Sequence, residues 1–358
     1  MSPSAALVRA STHGRVSRSR SRPPRCRGSR PALVSRRPST ASARSTTASA
    51  GGTQEPRVPA GSHFGDRLGA LVARRESQVV LGLDPDPSRL WPEAAAAAPA
   101  TGSPADRAAA AVRSHCAAAI DAAGPACVAV KPQLACFERL GAPGWAALAA
   151  TIEHAHANGL LVLADGKRGD IDVSAAAYAQ ALAGATPTPF GTVEGLGADA
   201  YTVSPYMGLD TLGALRTPGA GMFVLVRTSN PGAVDVEDLP TDTGERVWER
   251  VARLVDGLGE PGADTGLRDV GAVVGATAPE HLERARELMP RTPFLLPGIG
   301  AQGGRVEDLG PAFAPGRAAG LVTAARSIVA AHEQHGGTPA AAARQEAERL
   351  RALAWSLG

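Results

Sequence analysis

The chain has 358 residues, 44% of them apolar, four cysteines and a formal charge of +3; such a length allows one large domain or two smaller ones, with a sizeable core. No apolar run approaches the roughly 20 residues a membrane-spanning helix needs, and Cys26, Cys116, Cys127 and Cys136 lack metal-ligand spacing, so they read as reduced thiols of a cytoplasmic protein rather than a disulfide framework. The charge is uneven: residues 1–54 carry eleven arginines and no acid, so +3 is the sum of +11 there and −8 in the remainder, and an acidic body argues against specific nucleic-acid binding.

Residues 1–61 are rich in Ser, Arg, Pro, Thr and Ala without apolar periodicity, which predicts a disordered tail. Its composition resembles an organelle transit peptide, but a dispensable tail or an upstream start is the plainer reading. Residues 62–358 read as one domain. Eight short, nearly continuous apolar runs follow: Val79–Asp84, Cys127–Pro132, Leu160–Lys167, Ala200–Pro205, Met222–Ser229, Val270–Thr277, Phe294–Gly300 and Gly320–Arg326. Continuous apolar runs suit parallel strands buried on both faces. Helical patterns alternate with them over Pro104–Ala123, Gly144–Asn158, Val173–Ala183, Gly244–Leu258, Pro279–Met289 and Pro339–Leu357, while the alanine-rich Glu93–Ala100 reads as linker or helix surface. Eight β–α units in about 300 residues predict an α/β fold of the (β/α)8 TIM-barrel class. A doubly wound open sheet is the alternative, weakened because no G-x-G-x-x-G follows the first strand.

Lysine usage singles out two positions. Of 37 basic residues only Lys131 and Lys167 are lysines. Arginine is effectively always charged, whereas an ammonium can give up its proton, so lysine survives where that property is needed. Both lie at the C-terminal ends of predicted strands, where barrel enzymes keep their catalytic groups. The other strand ends supply Asp84, Asp165-Gly-Lys167-Arg-Gly-Asp170, Arg227-Thr-Ser229-Asn230, Pro297-Gly-Ile-Gly-Ala-Gln302-Gly-Gly and Arg326-Ser327. Alternation along a strand puts Asp165 and Lys167 on one side. A structural ion pair is the bland account of them, and a helix cap is the bland account of Asp170. Lys131 from the neighbouring strand turns the pair into an array of alternating charge, which is more typical of chemistry than of packing. The glycine-rich loop after the seventh strand, with Arg326 after the eighth, suits a phosphate.

These residues resemble the orotidine 5′-phosphate decarboxylase family, in particular its longer bacterial (type 2) branch, from about Phe64 to about Ala330. The family hallmark Asp-x-Lys-x-x-Asp-Ile stands here as Asp165-Gly-Lys167-Arg-Gly-Asp170-Ile171. Lys131 in Val-Lys-Pro-Gln, Ser229 in Thr-Ser-Asn-Pro-Gly, Gln302 in Gly-Ala-Gln-Gly-Gly and Arg326 in Ala-Arg-Ser-Ile match as well. The resemblance implies decarboxylation of orotidine 5′-phosphate to UMP without metal or other cofactor, the last step of UMP synthesis. It implies catalytic roles for Lys167 as proton donor to C6, Asp165 beside the leaving carboxylate, Lys131 holding Asp165 and the ribose, and Asp170 reaching into a partner's site in a homodimer. It implies substrate binding by Asp84, Ile171, Ser174, Ser229, Gln302, Ala325 and Arg326. Three positions depart from the family pattern: Asp172 where Gly or Pro is expected, Ser174 for Thr, and Ala325 for Gly.

Two alternatives belong beside it. A Mg2+-dependent sugar-phosphate decarboxylase or aldolase shares Asp-x-Lys-x-x-Asp but resembles this chain less, because it carries Glu where Lys131 stands and an ammonium would repel the ion. A non-enzymatic reading makes the Arg-rich tail a nonspecific polyanion binder on a passive barrel.

Overall fold

A computed structural model describes residues 62–300 and 302–358. The tail expected over residues 1–61, with Cys26 in it, lies outside the described residues. Ten strands follow in chain order: β1 (Val79–Leu83), β2 (Ala129–Pro132), β3 (Leu161–Arg168), β4 (Ala185–Thr188), β5 (Gly191–Glu194), β6 (Ala200–Val203), β7 (Gly221–Arg227), β8 (Val270–Val274), β9 (Phe294–Leu296) and β10 (Gly320–Ala324). All but β4 and β5 close into one barrel in the order β1-β2-β3-β6-β7-β8-β9-β10, each pair parallel. Each of the eight apolar runs in the sequence supplies one barrel strand, ending a few residues earlier in several cases because the chain turns into loop where the polar residues begin. Helices occupy Pro104–Ala123, Gly141–Ala157, Asp172–Leu182, Val247–Asp256, Leu282–Leu288 and Pro339–Trp355, close to the six predicted. Among the described residues no helix is long and apolar enough to cross a membrane.

Two features were not legible. The hairpin β4–β5 projects outside the barrel. Its Ala-Thr-Pro-Thr strand is too short and polar to show alternation, and Pro187 argues against a strand. The alanine-rich segment forms a short helix, Pro92–Ala96, that buries only Ala94.

The other element absent from the sequence reading, besides the hairpin, matters more. Helix Phe64–Arg75 closes the N-terminal mouth of the barrel. Its Phe64, Leu68, Leu71 and Val72 join the inward rungs Val80, Ala129, Leu161, Leu163, Ala200, Phe223, Val273, Leu295 and Leu321 in one apolar cluster. The intervening strand residues, such as Leu81, Val130, Val162, Tyr201 and Val322, face outward into a larger cluster with the helices. The Phe64 ring meets Phe223 edge-on, 5.9 Å between centroids. A Cβ on Gly221 would lie 2.6 Å from the Phe64 ring, so β7 must begin with glycine. With one mouth stoppered by apolar side chains, only the C-terminal mouth is left for chemistry. Removing the stopper as Phe64→Ala is expected to lower the unfolding free energy by about 3–5 kcal/mol, read by urea denaturation. A loss below about 1 kcal/mol would show that Phe64 is not part of the barrel core.

Candidate active site

The period-two alternation that fills the lower barrel with apolar rungs continues upward into polar ones. Above Val80 come Gly82 and Asp84, above Ala129 come Lys131 and Gln133, above Leu163 comes Asp165, above Ala200 comes Thr202, and above Leu321 come Thr323 and Ala325. All of these but Gly82 line a cavity of about 460 Å³ at the C-terminal mouth. Of the residues singled out in the sequence, Asp84, Lys131, Asp165, Lys167, Ser229, Gln302, Ala325 and Arg326 line it. Asp170, Ile171 and Ser174 do not.

Asp165 is the hub. The residue is 5% exposed, and its carboxylate takes four hydrogen bonds. Lys131 Nζ donates to Oδ2 at 2.5 Å and Lys167 Nζ to Oδ1 at 2.6 Å. Thr202 Oγ1 donates to Oδ1 at 2.8 Å and Gln133 Nε2 to Oδ2 at 3.3 Å. Burial works against the charged carboxyl, yet the two ammonium groups and their hydrogen bonds outweigh it and hold Asp165 well below the usual carboxylate range. Burial likewise works against the Lys131 ammonium, and the charges of Asp165 and Asp84 overcome it, so its pKa rises. Both groups are therefore ionised at neutral pH, a charge pair that stays in the low-dielectric floor because each member has the other.

Lys167 does not reach Asp165 by simple strand alternation. The pairing of β3 with β6 slips between Ala164 and Arg168, and Lys167 has φ +46°, a left-handed conformation unusual for a side-chain-bearing residue. Such a backbone costs on the order of 1–3 kcal/mol. It is held by Thr202, whose Oγ1 accepts the Lys167 backbone N–H at 2.9 Å while its hydroxyl hydrogen goes to Asp165. The lysine side chain is 43% exposed, so its ammonium is anchored at one side and faces the cavity on the other. Thr202 was missed in the sequence reading. Nothing local marked it, because a threonine is ordinary in a strand and only barrel closure shows that it faces inward.

The opposite wall is built by loops. Ser229 Oγ donates to Gln302 Oε1 at 2.9 Å, joining the loops after β7 and β9 across the mouth. Arg227, at the end of β7, is buried and serves the loop rather than the cavity: Nε and Nη2 each donate to Asp238 at 2.9 Å. Thr228 is tied to Glu237 through N–H and Oγ1, both at 2.8 Å. Gly298, Gly300 and Gly303 have φ of +105°, +71° and +93°, so this loop requires glycine. Beside it stands Arg326, whose guanidinium makes no ion pair or hydrogen bond among the described residues and is open to an anion. The Ala325 methyl is accommodated because Gly82 lies opposite on β1; a Cβ there would sit 2.6 Å from that of Ala325.

Segment 170–174 lies outside its own cavity. Asp170 Oδ1 accepts the Ile171 backbone N–H at 2.8 Å, and the following helix starts without a side-chain cap, so Asp170 is not the N-cap its position allowed. Asp172 has φ +44°, which is why glycine would be the easier residue there. Ile171, Val173 and Ser174 are exposed. Among the described residues no three His, Cys, Asp or Glu side chains come together to hold a metal ion.

Residues 77–345 match the model of the orotidine 5′-phosphate decarboxylase / HUMPS family. The chain is 40% identical over 279 residues to orotidine 5′-phosphate decarboxylase of Rhodopirellula baltica, covering 76% of this chain and 89% of that one. It is 42% identical over 273 residues to that of Haloarcula marismortui, covering 76% and 88%. Among solved structures it is similar to Leishmania donovani OMP decarboxylase, at 32% identity and TM-score 0.59, over 82% of this chain and 99% of that one. It is also similar to a putative orotidine 5′-phosphate decarboxylase of Streptomyces avermitilis, at 31% identity and TM-score 0.63, over 82% and 96%.

Because Thr202 satisfies both a strained N–H and the buried carboxylate, Thr202→Val is expected to cost about 1–3 kcal/mol of stability, with Thr202→Ser recovering most of it. Equal stability of the valine variant and the wild type in urea denaturation would remove this role.

Proposed function

The chain belongs to the orotidine 5′-phosphate decarboxylase family, and we propose that the buried array of Lys131, Asp165 and Lys167 is the centre at which it converts orotidine 5′-phosphate to UMP, the last step of UMP synthesis. The observation that carries the reading is Asp165 held between two ammonium groups, one buried and one facing the cavity. In the reaction the bond between C6 and its carboxylate breaks and the electron pair stays on C6, where the ring offers no neighbouring sink. CO2 leaves. The Lys167 ammonium stabilises the developing negative charge and then gives its proton to C6; it regains one from water. Asp165 fixes Lys167 at the place where that charge develops and sits beside the departing carboxylate, whose charge is lost as CO2 forms. Lys131 holds Asp165 ionised and, with Asp84, takes the ribose hydroxyls. Ser229 faces the pyrimidine. Gln302, Arg326 and the backbone N–H at Ala325 receive the phosphate, far from C6, and the binding energy there helps to close the glycine loop over the site.

The Mg2+-dependent reading is not favoured. It requires a carboxylate where Lys131 stands, and the curated relatives above carry the decarboxylase name. We assign the activity to residues 62–358 and place the protein in the cytoplasm, in keeping with its three free cysteines among the described residues.

We also infer a homodimer with shared sites. Asp170 and Ile171 match the family motif, and Ser174 keeps the hydroxyl of the usual Thr, yet all three stand outside their own cavity, and Ile171 and Val173 are apolar, 54% and 83% exposed. A two-fold interface at this segment would bury both side chains and deliver Asp170 to the partner's Lys167.

Arginine keeps a positive charge at position 167 but is a poor acid. Lys167→Arg is therefore expected to lose at least ~10³-fold in turnover while still binding UMP, in an orotidine 5′-phosphate decarboxylation assay with EDTA present. Wild-type-like turnover in the variant would sink the proton-donor role, and abolition by EDTA in the wild type would favour the metal-dependent reading. Mixing inactive Lys167→Ala with inactive Asp170→Ala protein should restore activity toward about a quarter of wild type, since a heterodimer holds one intact site. Failure to complement after subunit exchange would place Asp170 outside a shared site.

A further inference from the structure

A second cavity, of about 780 Å³, lies between β1, helix Pro104–Ala123 and the chain after β10. It adjoins the first: Asp84, Ala325 and Arg326 line both, and Gly300 of the glycine loop lines the second. Its wall holds polar groups that the protein leaves unsatisfied. His115 is 4% exposed, and its Nδ1 accepts the backbone N–H of Trp91 at 3.1 Å. With Nδ1 as acceptor the ring proton is on Nε2, and among the described residues that N–H has no partner. Burial, reinforced by the neighbouring His332, pushes the His115 pKa down to about 4, so the ring is a neutral donor. Ser327 Oγ and His332 Nδ1 are buried and make no hydrogen bond. Of the acids in the wall, the Asp84 carboxylate at the junction has no hydrogen-bond partner among the described residues, Asp86 takes the Ser88 N–H and hydroxyl, and the two glutamates are paired with arginines. Both oxygens of Glu333 take Arg89 Nη2 at 2.9 Å, and Glu346 takes Arg349 at 2.7 and 2.8 Å.

Buried polar atoms are almost always satisfied in native proteins. The Ser327 hydroxyl and the His115 Nε2–H are two donors without partners on one wall, with His332 Nδ1 a donor or acceptor according to its tautomer, and together they point to a ligand that carries acceptors. The guanidinium of Arg326 stands at the junction of the two cavities. Acceptor oxygens beside a free guanidinium, continuous with the place assigned to a nucleotide 5′-phosphate, describe a second phosphoryl group. We propose that the second cavity receives the β-phosphate of a nucleoside 5′-diphosphate whose nucleoside and α-phosphate occupy the first, so that UDP binds as a competitive inhibitor through His115 and Ser327. The inference rests on the function proposed above, because the nucleotide must enter by the first cavity.

The test is inhibition of orotidine 5′-phosphate turnover by UMP, UDP and inorganic phosphate, using the full chain and two variants. His115→Asn keeps an acceptor for the Trp91 N–H but removes the Nε2 donor, and Ser327→Ala removes the hydroxyl with little risk to the fold. Each is expected to weaken UDP about tenfold, the loss of one hydrogen bond to a charged group, and to leave inhibition by UMP and turnover within about twofold. UDP that fails to inhibit while UMP does overturns the proposal. So do variants that shift UMP and UDP alike or neither, and so does inorganic phosphate that competes through His115 as strongly as UDP. If the wild type turns over no orotidine 5′-phosphate and binds no UMP, the reading of the first cavity falls and takes this one with it.

Discussion

Burying a carboxylate is costly unless it is paired and hydrogen-bonded, and the upper barrel of this protein is organised around meeting that condition for Asp165. Lys131 answers it from β2, Lys167 from the irregular end of β3, Thr202 from β6 and Gln133 from the loop after β2. Each partner depends on the others in turn. Without Asp165, two ammonium groups would face each other in a low-dielectric floor. Without Thr202, the Lys167 backbone would lose the acceptor that holds its left-handed conformation. Asp165 and Lys131 are held rigidly because each is buried against the other, while Lys167 is anchored on one side and open to the cavity on the other.

The barrel supplies that array by one continuous rule. Inward rungs are apolar where helix Phe64–Arg75 stoppers the N-terminal mouth, and they become charged or hydroxylated within two or three rungs of it. The change costs little because the polar rungs face a solvent-accessible cavity and one another. The loop after β7 is pinned by Arg227 and Asp238, while the loop after β9 is left to glycine. One wall of the cavity is thus pinned by charged side chains and the other is shaped by backbone conformations that favour glycine.

Much of this was legible in the chain itself. Eight buried parallel strands appear as apolar runs because both faces are covered, and the two lysines stand out against an arginine background at strand ends. Lys131 was the most informative single residue, since an ammonium there is incompatible with the metal-binding arrangement of the Mg2+-dependent alternative. Thr202 and Thr323 were not legible, because a threonine in a β-branched run is ordinary for a strand and only the closed barrel shows that these two point inward. Helix Phe64–Arg75 was missed because nothing local distinguishes a stopper from a peripheral helix. The hairpin β4–β5 has no apolar face for a pattern to reveal.

The sequence by itself determined the class of fold, the order of its strands and the identity of the charged groups, because these follow from hydrophobic periodicity and from which side chains can carry or release a proton. Only the tertiary structure decided how Asp165 and Lys167 meet. Alternation predicted the contact for the wrong reason: a register slip and a positive φ, stabilised by a threonine 35 residues further along the chain, bring the ammonium to the carboxylate. It also decided that Asp170, Ile171 and Ser174 lie outside their own cavity. Neither outcome is encoded locally, since both depend on where barrel closure places one strand end against another.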